Sequence, residues 1–204
     1  ATDVFNSDGT TAKVDEKGEL VCTVPFPSKP IGFWGDENNQ RYRAAYFEGF
    51  EGIWTHGDFA SKSKTGGFTL YGRSDATLNS RGVRIGTAEI YRVVETFPQI
   101  QESMAVSQDW DNDTRVVLFV VLKAGNQLDA ELINEIKSAL KSQASPRHVP
   151  DKILATPELP RTKSNKLVEL AVTDVINGRE VRNRDALANP EALDWFSNLP
   201  ELSE

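Results

Sequence analysis

A lysine that closes a hydroxyl-rich loop is the side chain best suited to chemistry in this 204-residue sequence. Lys166 ends the run Pro160-Arg161-Thr162-Lys163-Ser164-Asn165-Lys166 and precedes a predicted helix. An ammonium on such a loop can neutralise charge developing between a carboxylate and a phosphoryl group. The ordinary alternative is a solvated lysine at a helix start. Other stretches gather polar side chains around glycine. In Trp54-Thr55-His56-Gly57-Asp58, the Asp58 carboxylate offers two oxygens to a pair of neighbouring hydroxyls, as on a ribose. It also reads as a turn aspartate that holds nearby backbone. Gly72-Arg73-Ser74-Asp75 and Gly82-Val83-Arg84-Ile85-Gly86 carry Arg73 and Arg84. Their rigid fork of donors suits phosphate or ribose, and equally suits an unremarkable surface ion pair. Gly82 and Gly86 read as tight turns or as points where a ligand meets the backbone. All of these stretches are expected to be loops.

Composition excludes several classes. A net charge of -7 opposes general binding to nucleic acid or anionic membrane, which need a positive footprint. The longest apolar run, 116–122, reads as a buried strand and is too short to span a bilayer. The first nine residues have neither the basic region nor the apolar core of a secretory signal. The sequence lacks an initiator Met and is expected to begin inside a longer protein. Its one cysteine, Cys22, cannot form an internal disulfide, which fits a reducing cytosol. Cys22 is expected to be a small core residue. His56 and His148 lie far apart with no cysteine partners, so no metal site is expected. No Gly-x-Ser-x-Gly elbow accompanies them, although a Ser–His–Asp triad stays open on residue types alone.

The elements that must position these side chains follow from periodicity. Leu20, Cys22, Val24 and Phe26 alternate with Val21, Thr23 and Pro25, which predicts a strand ended by Pro25, Pro27 and Pro30. A short helix is expected over 41–50, then strands near 53–55 and 67–71 joined by a turn at 62–67. Ile90, Val93, Val94 and Phe97 mark one face of a helix with Thr87 as N-cap and Pro98 as terminator. Strands follow at 103–107 and 115–123, separated by a polar turn at 109–113. A helix capped by Asp129 buries Leu132, Ile133, Ile136 and Leu140, and a strand covers Lys152–Ala155. A last helix carries Val168, Ala171, Val172 and Val175. The expected fold is α+β: a β-rich segment over 1–74, the end of a larger domain, then a small mobile α+β domain over 75–204.

Taken together and in order, four motifs resemble the adenylate-forming family of acyl-CoA synthetases, firefly luciferase and peptide-synthetase adenylation domains. They are Thr55-His56-Gly57-Asp58, Gly72-Arg73-Ser74-Asp75, Gly82-Val83-Arg84-Ile85-Gly86-Thr87-Ala88-Glu89-Ile90 and the 160–166 loop. Within the family the likeness is narrowest to the branch that activates acetoacetate. It runs from about Gly18 through Tyr71-Gly72-Arg73-Ser74-Asp75-Ala76-Thr77-Leu78-Asn79 and Ser145-Pro146-Arg147-His148-Val149-Pro150 to the tail Ala186-Leu187-Ala188-Asn189-Pro190-Glu191-Ala192-Leu193. The resemblance implies a ligase that uses ATP, accompanied by Mg2+, to adenylate acetoacetate and then passes the acyl group to coenzyme A. It implies that Asp58 and Arg73 contact the ATP ribose and that Asp75 is the hinge of the small domain. Lys166 would orient the acid and the α-phosphate; Gly82 would line the pantetheine tunnel and Arg84 would meet phosphate. The missing N-terminal domain would supply the phosphate loop, the adenine pocket and the acid pocket, so these residues alone are expected to be inactive. The family loop usually ends Ser-Gly-Lys; Asn165 replaces that glycine, which bears on rate rather than role. Two other readings keep the fold: a ligase for acetate or propionate, and a non-catalytic binding module.

Overall fold

The computed structural model describes residues 1–80, 82–181 and 183–204. The chain is α+β and divides into two compact units, Ala1–Asp75 and Ala76–Glu204. No helix among the described residues is long and apolar enough to cross a membrane.

The first unit is a four-stranded antiparallel sheet of β1 (Thr2–Phe5), β2 (Lys17–Cys22), β3 (Trp54–Lys62) and β4 (Phe68–Arg73), in that order. Its centre is small: Val4, Leu20 and Ala60 are buried together. The expected strand through Phe26 stops at Cys22 instead, and Val24 is exposed. Pro25 cannot donate to a ladder, and Phe26 turns away to pack edge-on against Trp54 at 5.3 Å. Cys22 is half-buried rather than a core residue. Helix α1 (Gln40–Phe47) ends before Phe50. Tyr42 is its buried side chain, and Tyr46 stacks on Trp54 with 3.8 Å between ring centroids. Phe50, outside the helix, packs edge-on against Phe5.

The second unit opens on a short hairpin, β5 (Leu78–Ser80) with β6 (Val83–Ile85), that runs into α2 (Thr87–Val94). Gly86, not Thr87, is the N-cap, and Thr87 is the first helical residue. The Gly86 amide donates to Glu89 Oε2 at 3.1 Å, so a side chain one turn on satisfies that donor. A three-stranded sheet follows: β7 (Ile100–Trp110) antiparallel to β8 (Asp113–Leu122), and β8 parallel to β9 (Lys152–Ala155). The β7–β8 strands run longer than their sequence signal. Asp111 and Asn112 both take positive φ, 49° and 59°, in the two-residue connection that suits the twist of a hairpin. Helix α3 (Ala130–Gln143) makes the crossover that a parallel pair requires. Asp129 caps it by accepting from the Leu132 amide at 2.9 Å.

Strand β8 is buried on both faces. Val116, Leu118 and Val120 join α2 and α3 side chains in one core. Val117, Phe119 and Val121 join a second core with Leu159, Val172 of α4 (Glu169–Ile176), Leu187, and Leu193 of the short α5 (Ala192–Trp195). Phe196 and Leu202 complete that second core.

Candidate functional site

Candidate side chains lie in both units. In the first, the stretch expected to be a loop at 54–58 is the start of β3, and Asp58 is a strand residue paired with Arg73 on β4. Turn-type residues entered a strand because Trp54 and Thr55 pair with β2 and Asp58 pairs with β4, while between them the Gly57 amide donates to Glu19 Oε1 at 2.9 Å. Arg73 lies across the strand. Its Nη1 donates to the His56 carbonyl at 3.0 Å and to Asp58 Oδ1 at 3.3 Å, and its Nε lies 3.4 Å from Asp75 Oδ1. Gly57 makes this possible: its φ is +74°, and a Cβ there would sit 2.5 Å from Arg73 Nη2. Asp58 is partly buried while Arg73 and Asp75 are half-exposed, so these pairs orient side chains more than they stabilise the unit. A carboxylate held next to a guanidinium on the neighbouring strand can accept two vicinal hydroxyls. A cleft of about 780 Å3 beside α1, lined by Asn39, Tyr42, Arg43 and Phe47 among others, contains none of these groups.

In the second unit, Gly82 sits in the connection of the β5–β6 hairpin with φ +79°, and a Cβ there would meet only open space. Arg84, on β6, is exposed and donates from Nε to Thr77 Oγ1 at 3.3 Å. At the far end of this segment Glu89 accepts from the Gly86 amide through Oε2, and its Oε1 lies 3.5 Å from His148 Nε2, while His148 Nδ1 is 2.8 Å from Ser145 Oγ. Sequence reasoning missed this link, because 59 residues separate Glu89 from His148 and no local pattern joins them.

The Lys166 loop is a tight hairpin. Arg161 and Leu167 form a bridge, the Asn165 amide donates to the Thr162 carbonyl at 2.8 Å, and Asn165 takes φ +63°. Asparagine thus holds the left-handed position that glycine usually fills. The Lys166 ammonium is exposed and makes no ion pair or hydrogen bond among the described residues. The base of the loop is fixed: Arg161 Nη1 donates to the Asn165 carbonyl at 2.9 Å, and Arg161 Nη2 pairs with Glu102 of β7. A cation whose backbone is held and whose head is unpaired is suited to meet an anionic ligand. Among the described residues, no group of three or more His, Cys, Asp or Glu side chains could hold a metal ion.

Comparison with known proteins gives one consistent set of relatives. Residues 89–166 match the AMP-binding enzyme C-terminal domain. The acetoacetyl-coenzyme A synthetase of Rhizobium meliloti (strain 1021) is 56% identical over 202 residues, covering 99% of this chain and 31% of its own length. The acetoacetyl-CoA synthetase of Xenopus tropicalis is 47% identical over 204 residues, 99% of this chain and 30% of that protein. The solved acetoacetyl-CoA synthetase from Streptomyces lividans superposes with a TM-score of 0.91 at 35% identity, over 100% of this chain and 31% of that one. A benzoate CoA ligase from Burkholderia xenovorans LB400 shares the fold, with a TM-score of 0.72 at 23% identity over 85% of this chain and 33% of its own. The chain therefore spans about a third of the length of the curated relatives it matches.

Proposed function

This chain belongs to the adenylate-forming family of AMP-binding enzymes, and on that premise we propose that its protein is an acetoacetate–CoA ligase of the cytoplasm. In the first step a carboxylate oxygen of acetoacetate attacks the α-phosphorus of ATP. The new P–O bond replaces the bond to the β-phosphate, and pyrophosphate leaves. In the second step the thiol of coenzyme A gives up its proton to solvent as its sulfur attacks the acyl carbon, the C–S bond forms, and AMP departs with the C–O bond's electrons. The observation that carries this reading is the likeness to acetoacetyl-CoA synthetases across nearly the whole chain, including the tail.

Within that reaction Lys166 supplies the positive charge. Its exposed ammonium comes between the acid carboxylate and the α-phosphate, where it offsets charge as the two anions approach. Asp58 accepts the ribose hydroxyls of ATP, and Arg73 both holds Asp58 in place and adds a donor toward the nucleotide. Asp75, the last residue of the first unit, is the hinge about which the second unit, 76–204, turns between the two steps. After that turn, the Gly82 connection lets pantetheine pass close to backbone, and Arg84 meets a phosphate of coenzyme A. Mg2+ accompanies ATP, and the acid pocket belongs to polypeptide outside these residues. Residues 1–204 alone then support no pyrophosphate exchange.

The test is a substrate panel on the full-length protein, following AMP and acyl-CoA formation from acetoacetate, acetate and propionate. A higher kcat/KM for acetoacetate is expected. Preference for acetate or propionate would move the assignment to another short-chain acid, and no AMP formation from any acid would leave a binding module.

A further inference from the structure

We infer that Asn189 is a positioning residue for the Lys166 loop, and that the tail segment around it braces that loop from the side. The inference rests on the ligase reading for its catalytic consequence, though not for the brace itself. The geometry begins with Pro160, which has no N–H to contribute to strand pairing. On either side of it, Leu159 has a carbonyl and Arg161 an amide that must find partners. Asn189 serves both: its Oδ1 accepts from the Arg161 amide at 2.8 Å, and its Nδ2 donates to the Leu159 carbonyl at 3.1 Å. The same Nδ2 donates to Glu158 Oε2 at 2.9 Å. One carboxamide thus supplies the partners that the extended segment around Pro160 lacks.

The tail backbone continues the pairing toward the lysine. Ala188 donates to the Arg161 carbonyl at 2.8 Å, Lys163 donates to the Ala186 carbonyl at 3.1 Å, and Thr162 bridges Leu187. Leu187 is buried in the core shared with Phe119 and Val121, so the brace is anchored to the central sheet. With Arg161 tied to Glu102 on β7, the loop is held from two directions while the Lys166 ammonium stays unpaired among the described residues. Removing the Asn189 carboxamide leaves a partly buried donor and acceptor without their partners and frees the stem of the hairpin that carries the lysine.

The test uses the full-length enzyme with Asn189→Ala. Pyrophosphate exchange should fall on the order of tenfold with the KM for ATP nearly unchanged, because misplacing a reacting group by a fraction of an ångström has effects of that size. Thioester formation from pre-made acyl-adenylate should stay near wild type, and amide hydrogen exchange over 161–166 should quicken. Equal loss in both half-reactions, or unchanged amide exchange over 161–166, would overturn the inference. Asn189→Ser keeps a hydroxyl that can serve one of the two backbone groups and adds no charge beside Glu158. It should fall between wild type and the alanine variant, and it carries the same readouts if the alanine variant does not fold. If Lys166→Ala leaves adenylation intact while Asn189→Ala still speeds amide exchange, the brace stands and the assigned role of Lys166 falls.

Discussion

Thr162 and Lys166 hold each other across the loop in both directions: the Thr162 amide donates to the Lys166 carbonyl at 2.8 Å, and Thr162 Oγ1 accepts from the Lys166 amide at 3.0 Å. The backbone of the lysine is therefore fixed by its own hairpin, and its freedom is confined to the side chain. That division decides what substitutions in the loop will do.

Replacing the lysine head group should act on chemistry and leave the fold alone. Lys166→Ala in the full-length enzyme should cut adenylation by about a hundredfold or more. Thioester formation from pre-made acyl-adenylate should remain near wild type. Pyrophosphate exchange and a thioester assay on the same preparation check both halves, and parallel loss of the two would refute the role.

Replacing the loop's left-handed residue should act on the fold and only then on rate. At φ +63°, Asn165→Ala should cost about 1–2 kcal/mol, whereas Asn165→Gly should be close to neutral or slightly stabilising. Urea midpoints separate the two. The glycine variant should keep full adenylation activity, since the hairpin bonds come from Thr162 and the backbone.

Gly57 gives a sharper test of the ribose side. Alanine there must adopt φ +74° and displace the Arg73 guanidinium, which lies where its methyl would go. Gly57→Ala should raise the KM for ATP at least about tenfold through loss of an oriented charge-assisted contact. An unchanged KM would separate Arg73 from nucleotide binding.

Tyr91 predicts an alkaline transition. Burial of its hydroxyl, reinforced by the negative charge of Glu169, holds its pKa well above the ordinary tyrosine value. Its oxygen donates to Glu169 Oε1 at 3.1 Å and accepts from the Ala105 amide at 3.1 Å. Below about pH 10 the phenol is neutral folded and unfolded, so its contribution is intact. As pH rises further, the unfolded chain ionises first and stability falls until the folded pKa is passed. Tyr91→Phe should be less stable at pH 7 by about 1–3 kcal/mol, because the Ala105 amide loses its partner. Its denaturation midpoint should then fall less steeply than wild type above pH 10. Equal slopes would rule out Tyr91 as the ionising group.

The second unit was largely legible in the sequence because its signals are periodic. Ile90, Val93 and Val94 mark α2, Leu132, Ile136 and Leu140 mark α3, and the run 116–122 marks β8; all but Leu122, which is partly buried, are buried. The first unit was less so. Trp54 to Asp58 carries the glycine and aspartate of a turn, yet lies in β3, where pairing of its start with β2 and of Asp58 with β4 overrides local preference. The motif residues of the candidate site could be found by their order along the chain. The side chains that hold them could not: Asn189 acts by standing in for backbone, and Glu89 reaches His148 from a distant element. Neither leaves a spacing to detect.

The two-faced burial of β8 has a consequence for how the chain tolerates insertion. Successive residues of this strand feed opposite cores, so adding or deleting one residue would turn every following side chain to the wrong side and empty two interiors at once. Length variation should instead collect at the Asp111-Asn112 tip, leaving the sheet that carries the lysine loop as the least editable part of the molecule.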